Sequence, residues 1–229
     1  KTTMRNVMLA IRLAILLTGL SGSRAYCTTV VWTGSGANDY WSNGNNWLNN
    51  LPPTDADALI FNANDSGNIN IVDTDFAIAG LQYIGNSIHT TNLNGSSNLQ
   101  INGPVSIGVG YSGSDSAMAT LTNGGTVMIG GPPIRQSLAI GHDLGIGSDT
   151  IVGSLSIENT TVQAFASGGL AIGLKAWGGS GMAEGSLILA DNSRLDIDNS
   201  GWSMTIGANL EGGLGSKAIG LLDTRSGEA

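Results

Sequence analysis

The dipeptide Ile-Gly returns at nearly constant intervals, as Ile107-Gly108, Ile140-Gly141, Ile172-Gly173 and Ile206-Gly207, with steps of 33, 32 and 34 residues. A leucine follows each copy at a near-fixed distance: Leu121 lies 14 residues on, and Leu155, Leu187 and Leu221 lie 15. The flanks match as well. Ser137-Leu138-Ala139-Ile140-Gly141 parallels Gly169-Leu170-Ala171-Ile172-Gly173, and Gly153-Ser154-Leu155 parallels Gly185-Ser186-Leu187. A period of this length means that each unit is one supersecondary element that must stack on its neighbours to bury its apolar face.

Within a unit the apolar period is two. Leu155 and Ile157 alternate with Ser154 and Ser156, and Leu195 and Ile197 with Asp196 and Asp198. That is the pattern of half-buried strands, punctuated by Gly, Asn, Ser and Asp clusters. No stretch after residue 26 holds a helical period, so helices should be nearly absent. Short strands repeating every ~33 residues predict an all-β fold, a parallel β-helix or β-solenoid with three strands per turn around a triangular core. Two smaller turns per repeat remain an open alternative, because Leu-x-Ile recurs at about half the spacing. Residues 67–229 read as the coils, and the last copy is expected to be cut before its final strand. Residues 26–66 read as an N-terminal cap over the open end of the stack. They hold Trp32, Trp41 and Trp47, three of the five tryptophans.

Residues 1–25 read as a secretory signal peptide. Arg5 and Arg12 precede the apolar run 13–20, and Ser23-Arg24-Ala25 offers a small-any-small cleavage site. The sequence therefore predicts a secreted or cell-surface protein whose leader engages the export machinery. Removing the leader leaves 5 of the 9 basic residues against all 17 acidic ones, a formal charge of −12. Such a surface repels phosphate backbones, so nucleic acid is not an expected partner. One cysteine excludes a disulfide scaffold.

The opening Val31-Trp32-Thr33-Gly34, Tyr40-Trp41-Ser42, Asn45-Asn46-Trp47 and Asp57-Ala58-Leu59-Ile60-Phe61 resembles that of many bacterial exported β-helix repeat proteins. These include autotransporter-type passengers and PEP-CTERM-type surface proteins, and the Gly153–Asn159 stretch resembles their repeats. The resemblance implies a right-handed parallel β-helix displayed outside the cell. It carries no shared catalytic residues.

The search for chemistry is correspondingly thin. His89 and His142 lack zinc-ligand spacing, although His142-Asp143 departs from Val109, Leu174 and Ala208 at the same place in the other copies. Asp196 and Asp198 point the same way from one strand, about 6.6 to 7 Å apart. With Asn199 and Ser200 they suggest a calcium site that lacks the third carboxylate and the closing Glu. A solvated outer face is the plain alternative, and calcium is the one cofactor the residues suggest. Asp73 and Asp75 form a similar pair. The cap tryptophans suit either an end plug or a sugar platform. The function expected is a non-catalytic structural or adhesive module, with a non-catalytic part of a polysaccharide-active β-helix enzyme as the alternative. Its partners would be an extracellular glycan or another surface protein, and open strand edges add end-to-end self-association.

Overall fold

The computed structural model describes residues 28–63, 68–110, 113–130, 138–144, 148–165, 169–175, 180–198, 204–208 and 217–224. The expected leader 1–25, Trp177 and Trp202 lie outside them.

Inward-facing Ile, Leu and Val at every second position drive strand formation, and each coil contributes strand segments to three faces. After a leading strand β1 (Thr28–Val31), coil 1 holds β2 (Asp57–Phe61), β3 (Ile69–Val72) and β4 (Phe76–Ile78). Coil 2 holds β5 (Gly80–Tyr83) and β6 (Ser87–Ile101), and coil 3 holds β7 (Val105–Gly110) and β8 (Asp115–Ile129). Coil 4 holds β9 (Leu138–Asp143), β10 (Thr150–Glu158) and β11 (Thr161–Phe165). Coil 5 holds β12 (Leu170–Lys175), β13 (Met182–Ala190) and β14 (Arg194–Asp198), and β15 (Met204–Ile206) and β16 (Lys217–Thr224) follow. The first sheet runs β1-β2-β5-β7-β9-β12-β15, and the remaining strands form the second. Every pair of named strands is parallel, so the chain is a β-solenoid. Helix among the described residues is limited to one 3-10 turn, Gly44–Asn46.

One repeat makes one coil. Tyr83, Ile107, Ile140, Ile172 and Ile206 lie in one column across adjacent coils, and so do Leu81, Val105, Leu138 and Leu170. The two-turn alternative is therefore excluded. The leucine anchors are only partly equivalent. Leu155 pairs with Leu187, but Leu121 pairs with Ile157, and Leu221 pairs with Ser186 while Leu222 takes the Leu187 column. A two-residue offset keeps a side chain on the same face of a strand, whereas a one-residue offset moves it to the other, so a leucine count cannot set register.

The Ile-Gly glycines have a specific task. Gly108, Gly141 and Gly173 adopt φ of +57°, +61° and +62°, inside strands of the first sheet. A Cβ on Gly141 would fall on the Glu184 carbonyl oxygen, and one on Gly173 on the Ile219 carbonyl oxygen. The glycines of the other motif meet them from the second sheet. A Cβ on Gly153 would strike the Gly141 nitrogen and the Ile107 carbonyl, and one on Gly185 the Gly173 nitrogen and the Ile140 carbonyl. The two sheets thus touch backbone to backbone along two glycine columns, offset so that each glycine meets two coils. Inward of this contact lies the main core of Ile107, Ile140, Ile172, Leu155, Ile157, Leu187, Val127 and Val162.

The first coil is closed by the tryptophans. Trp32 and Trp41 are fully buried, and Trp47 is 1% exposed. Their rings meet edge to face, Trp32 on Trp47 with centroids 5.0 Å apart and Trp41 on Trp47 at 5.7 Å, and all three contact Phe61. Two polar edges are paired, with Trp41 Nε1 donating to Asn70 Oδ1 (2.8 Å) and Trp47 Nε1 to the Trp41 carbonyl (2.9 Å), while Trp32 Nε1 is buried without a hydrogen-bond partner among the described residues. The same segment covers both sheet edges. β1 pairs with β2, and the Ile71 N–H donates to the Asp39 carbonyl while the Trp41 N–H donates to that of Ile71. These rings plug the stack and offer no sugar platform.

The glycine contact makes a quantitative prediction. Gly141→Ala should cost about 3 kcal/mol or more, from left-handed backbone strain plus overpacking against Glu184. Gly95 has φ +60° and nothing within 4 Å of a Cβ, so Gly95→Ala should cost only about 1 to 2 kcal/mol. Urea unfolding of the two variants checks this. Equal losses would show that the sheet-to-sheet contact contributes nothing.

Candidate functional site

Carboxylates outnumber basic groups 17 to 9 in this acidic chain, and the structure uses several of them to hold coils together. Asp73 accepts from the Ser42 N–H (3.1 Å) and hydroxyl (2.5 Å), tying cap to coil 1. Asp75 accepts from the backbone N–H of Asn98 in coil 2 (2.7 Å) and from its side-chain amide (3.2 Å). Asp115 accepts from the Gly85 N–H (2.5 Å), and Asp149 from the Gly113 N–H (2.8 Å). Corner residues leave the strand ladder, so their N–H groups need other acceptors, and these carboxylates supply them from an adjacent coil or, for Ser42, from coil 1 to the cap. Asp73 and Asp75 are thereby engaged with different partners instead of converging on one point.

Asp196 and Asp198 lie on β14, opposite Gln163 and Phe165 of the preceding coil, and Asp196 is half-buried. Asp196 Oδ1 accepts from Arg194 Nε at 2.8 Å. That hydrogen bond, with the attraction of the same carboxylate, holds the Arg194 guanidinium even more firmly protonated. Asn199 and Ser200, the other oxygen donors of the expected calcium loop, lie outside the described residues. Among the described residues no group of three or more His, Cys, Asp or Glu could hold a metal ion.

The histidines are apart. His89 is buried beside Phe61 and Tyr83, with ring centroids 5.1 and 6.2 Å away, and its Nε2 lies 3.4 Å from the Asn62 carbonyl. Tyr83 shares a 2.6 Å hydrogen bond with Thr91, and burial pushes its phenol well above the usual range. His142 is half-buried on the outward side of β9, in one column with Val109 and Leu174. Its Nε2 is buried without a hydrogen-bond partner among the described residues. Burial lowers its imidazole below the ordinary value of 6.5, and the neighbouring Asp143 carboxylate opposes that shift.

The next column holds the feature that sequence reading passed over. Gly110, Asp143 and Lys175 occupy one position on consecutive coils, and Lys175 Nζ donates to Asp143 Oδ2. Both side chains are sealed, at 0% and 1% exposure. Aligning the repeats one residue beyond His142 places the opposite charges 32 residues apart, which is the signal that would have found them.

No family model, curated protein or solved structure matches the chain. Among the described residues no helix is long and apolar enough to cross a membrane.

The His142 environment sets a pH dependence. Its pKa is lowered in the fold, so below about 6.5 the unfolded chain binds a proton that the folded chain resists. The stabilising contribution is complete above that pH and is lost as pH falls toward the folded value. His142→Leu, which copies Leu174 of the next coil, should remove this slope. Urea midpoints at pH 7.5 and pH 5 check it, and an unchanged difference between the two pH values would refute it.

Proposed function

We propose that the chain is an exported, non-catalytic repeat protein that acts as a structural or adhesive module at the bacterial cell surface or outside the cell. The observation that carries the reading is the outer face of the second sheet. Its central coils carry a patch of uncharged polar groups, with Thr90, Thr120 and Ser156 in one row, which continues as Ile188 and Asp223, and Asn92 and Thr122 in another. A third row pairs Ser154 with Ser186, whose hydroxyls lie 2.8 Å apart, between exposed Ile88 and Met118 on one side and Leu221 on the other. Polar groups spaced by the ~4.8 Å strand separation, with apolar side chains beside them, suit a repetitive partner that has both hydroxyls and apolar faces, such as an extracellular glycan. The leader-like residues 1–25 and the autotransporter-like or PEP-CTERM-like opening support export. The carboxylates described above are engaged as ties between coils, which favours a scaffold over an enzyme.

Producing the full chain in a bacterium with an outer membrane tests this. The mature protein should begin at residue 26, lie outside the cytoplasm and raise adherence to polysaccharide-coated surfaces. The double variant Thr120→Glu, Ser156→Glu should keep export and lower adherence several-fold. Retention in the cytoplasm with the leader uncut would refute the reading, and so would export without adherence.

A further inference from the structure

The glycine contact between the sheets leaves a second, smaller interior compartment on its far side. Along β9 the inward residues run Leu138, Ile140, then Gly141, then Asp143, and along β10 they run Ile151, then Gly153, then Leu155. Ile140 and Leu155 belong to the main core. Asp143 and Ile151 lie on the other side of the glycines, nearest the turn that joins β9 to β10. The following coil repeats this with Lys175 and Ala183, and the column partners are Asp143 with Lys175 and Ile151 with Ala183. Ile151 and Ala183 are fully buried. Gly181 closes the wall beside the carboxylate, where a Cβ would come within 3.1 Å of Asp143 Oδ2.

This compartment holds one amine and one carboxyl group against each other. Parallel in-register pairing of β9 with β12 fixes their backbones on neighbouring coils, so the two groups have a high effective concentration. Water, which would favour the separated ions, is excluded from both side chains. An ion pair in apolar surroundings bears the desolvation cost of two charges, and conversion to a neutral species removes it.

We propose that Lys175 and Asp143 condense into an intramolecular amide that joins coil 4 to coil 5. The balance is closed. The ammonium of Lys175 passes one proton to Asp143 Oδ2 across their hydrogen bond, and the freed Nζ lone pair attacks Asp143 Cγ. A second proton moves from nitrogen to the departing oxygen, the Cγ–Oδ2 bond breaks, and one water leaves. An Nζ–Cγ bond replaces the Cγ–Oδ2 bond, both charges vanish, no atom is oxidised or reduced, and no co-reactant is needed. The inference is independent of the function proposed above.

Mass spectrometry of the full chain, denatured and cut with trypsin, tests it. Peptide 136–194 should remain uncut after Lys175, because an acylated lysine is not a trypsin site, and should be lighter than its sequence by one water. Further cleavage after Glu158 and Glu184 should leave pieces 136–158 and 159–184 covalently joined. Asp143→Ala should restore both the cut after Lys175 and the full mass, whether or not that variant folds. Peptide 136–175 released from the unaltered chain at full mass would overturn the proposal. So would a water loss that maps anywhere other than the joined pieces, since an aspartate can also lose water to its own backbone.

Discussion

Two glycine columns in backbone contact are the constraint on which the other features depend. Sheets that face each other through side chains stand about 10 Å apart. Here Gly141 and Gly173 of one sheet meet Gly153 and Gly185 of the other with no room for a Cβ. Each glycine touches two coils, so the contact sets the stagger of one sheet on the other as well as their separation. It also explains why two different motifs share one period. The glycine of Ile-Gly and the glycine of Gly-Ser-Leu are the two sides of a single contact. A one-residue slip would drive Ile140 or Ser154 into that space, which specifies register more sharply than alternating hydrophobicity alone.

The low content of charged residues follows from the same geometry. A solenoid satisfies strand N–H and C=O groups between coils, and what remains is the corner backbone. Asp75, Asp115 and Asp149 accept from corner N–H groups of Asn98, Gly85 and Gly113, so each carboxylate acts as a tie. At the start of the stack the problem is different, because a whole coil would expose both strand edges and apolar core. Three tryptophans cover the core while β1 and the Tyr40 region cover the edges, and one short segment answers both needs.

Much of this was legible in the sequence, for definite reasons. The parallel coiled architecture was, because a 33-residue period with period-two apolar runs has few solutions. The cap was legible from the tryptophans, since a large aromatic group beside a repeat array has an end to fill. Exact equivalence of positions was not. Leu121 and Leu221 looked like counterparts of Leu155, yet corners of unequal length shift them to other columns. The carboxylate pairs could not be resolved either. Alternation says that Asp73 and Asp75 share a face, but only the folded corners show that one reaches Ser42 and the other Asn98. The Asp143–Lys175 pair was hidden because each residue looks ordinary within its own repeat, and only the column across repeats joins them.

That pair bears on how a stack of this kind holds together. Stability in a solenoid is close to a sum over coil interfaces, so each interface is open to local fraying. Apolar columns alone give an interface some tolerance, because Ile, Leu and Val exchange at modest cost. An ion pair sealed between coils 4 and 5 removes that tolerance. Removing one partner would leave the other charge buried and unpaired, a penalty of about 3 to 5 kcal/mol, and the proposed amide would join the two coils covalently. The glycine columns already forbid a small shift of one sheet on the other. With the pair in place, relative motion of these two coils must break backbone hydrogen bonds, glycine contacts and the Asp143–Lys175 link together. The interface then opens as a unit or not at all, and an otherwise one-dimensional stack acquires a cooperative block at coils 4 and 5.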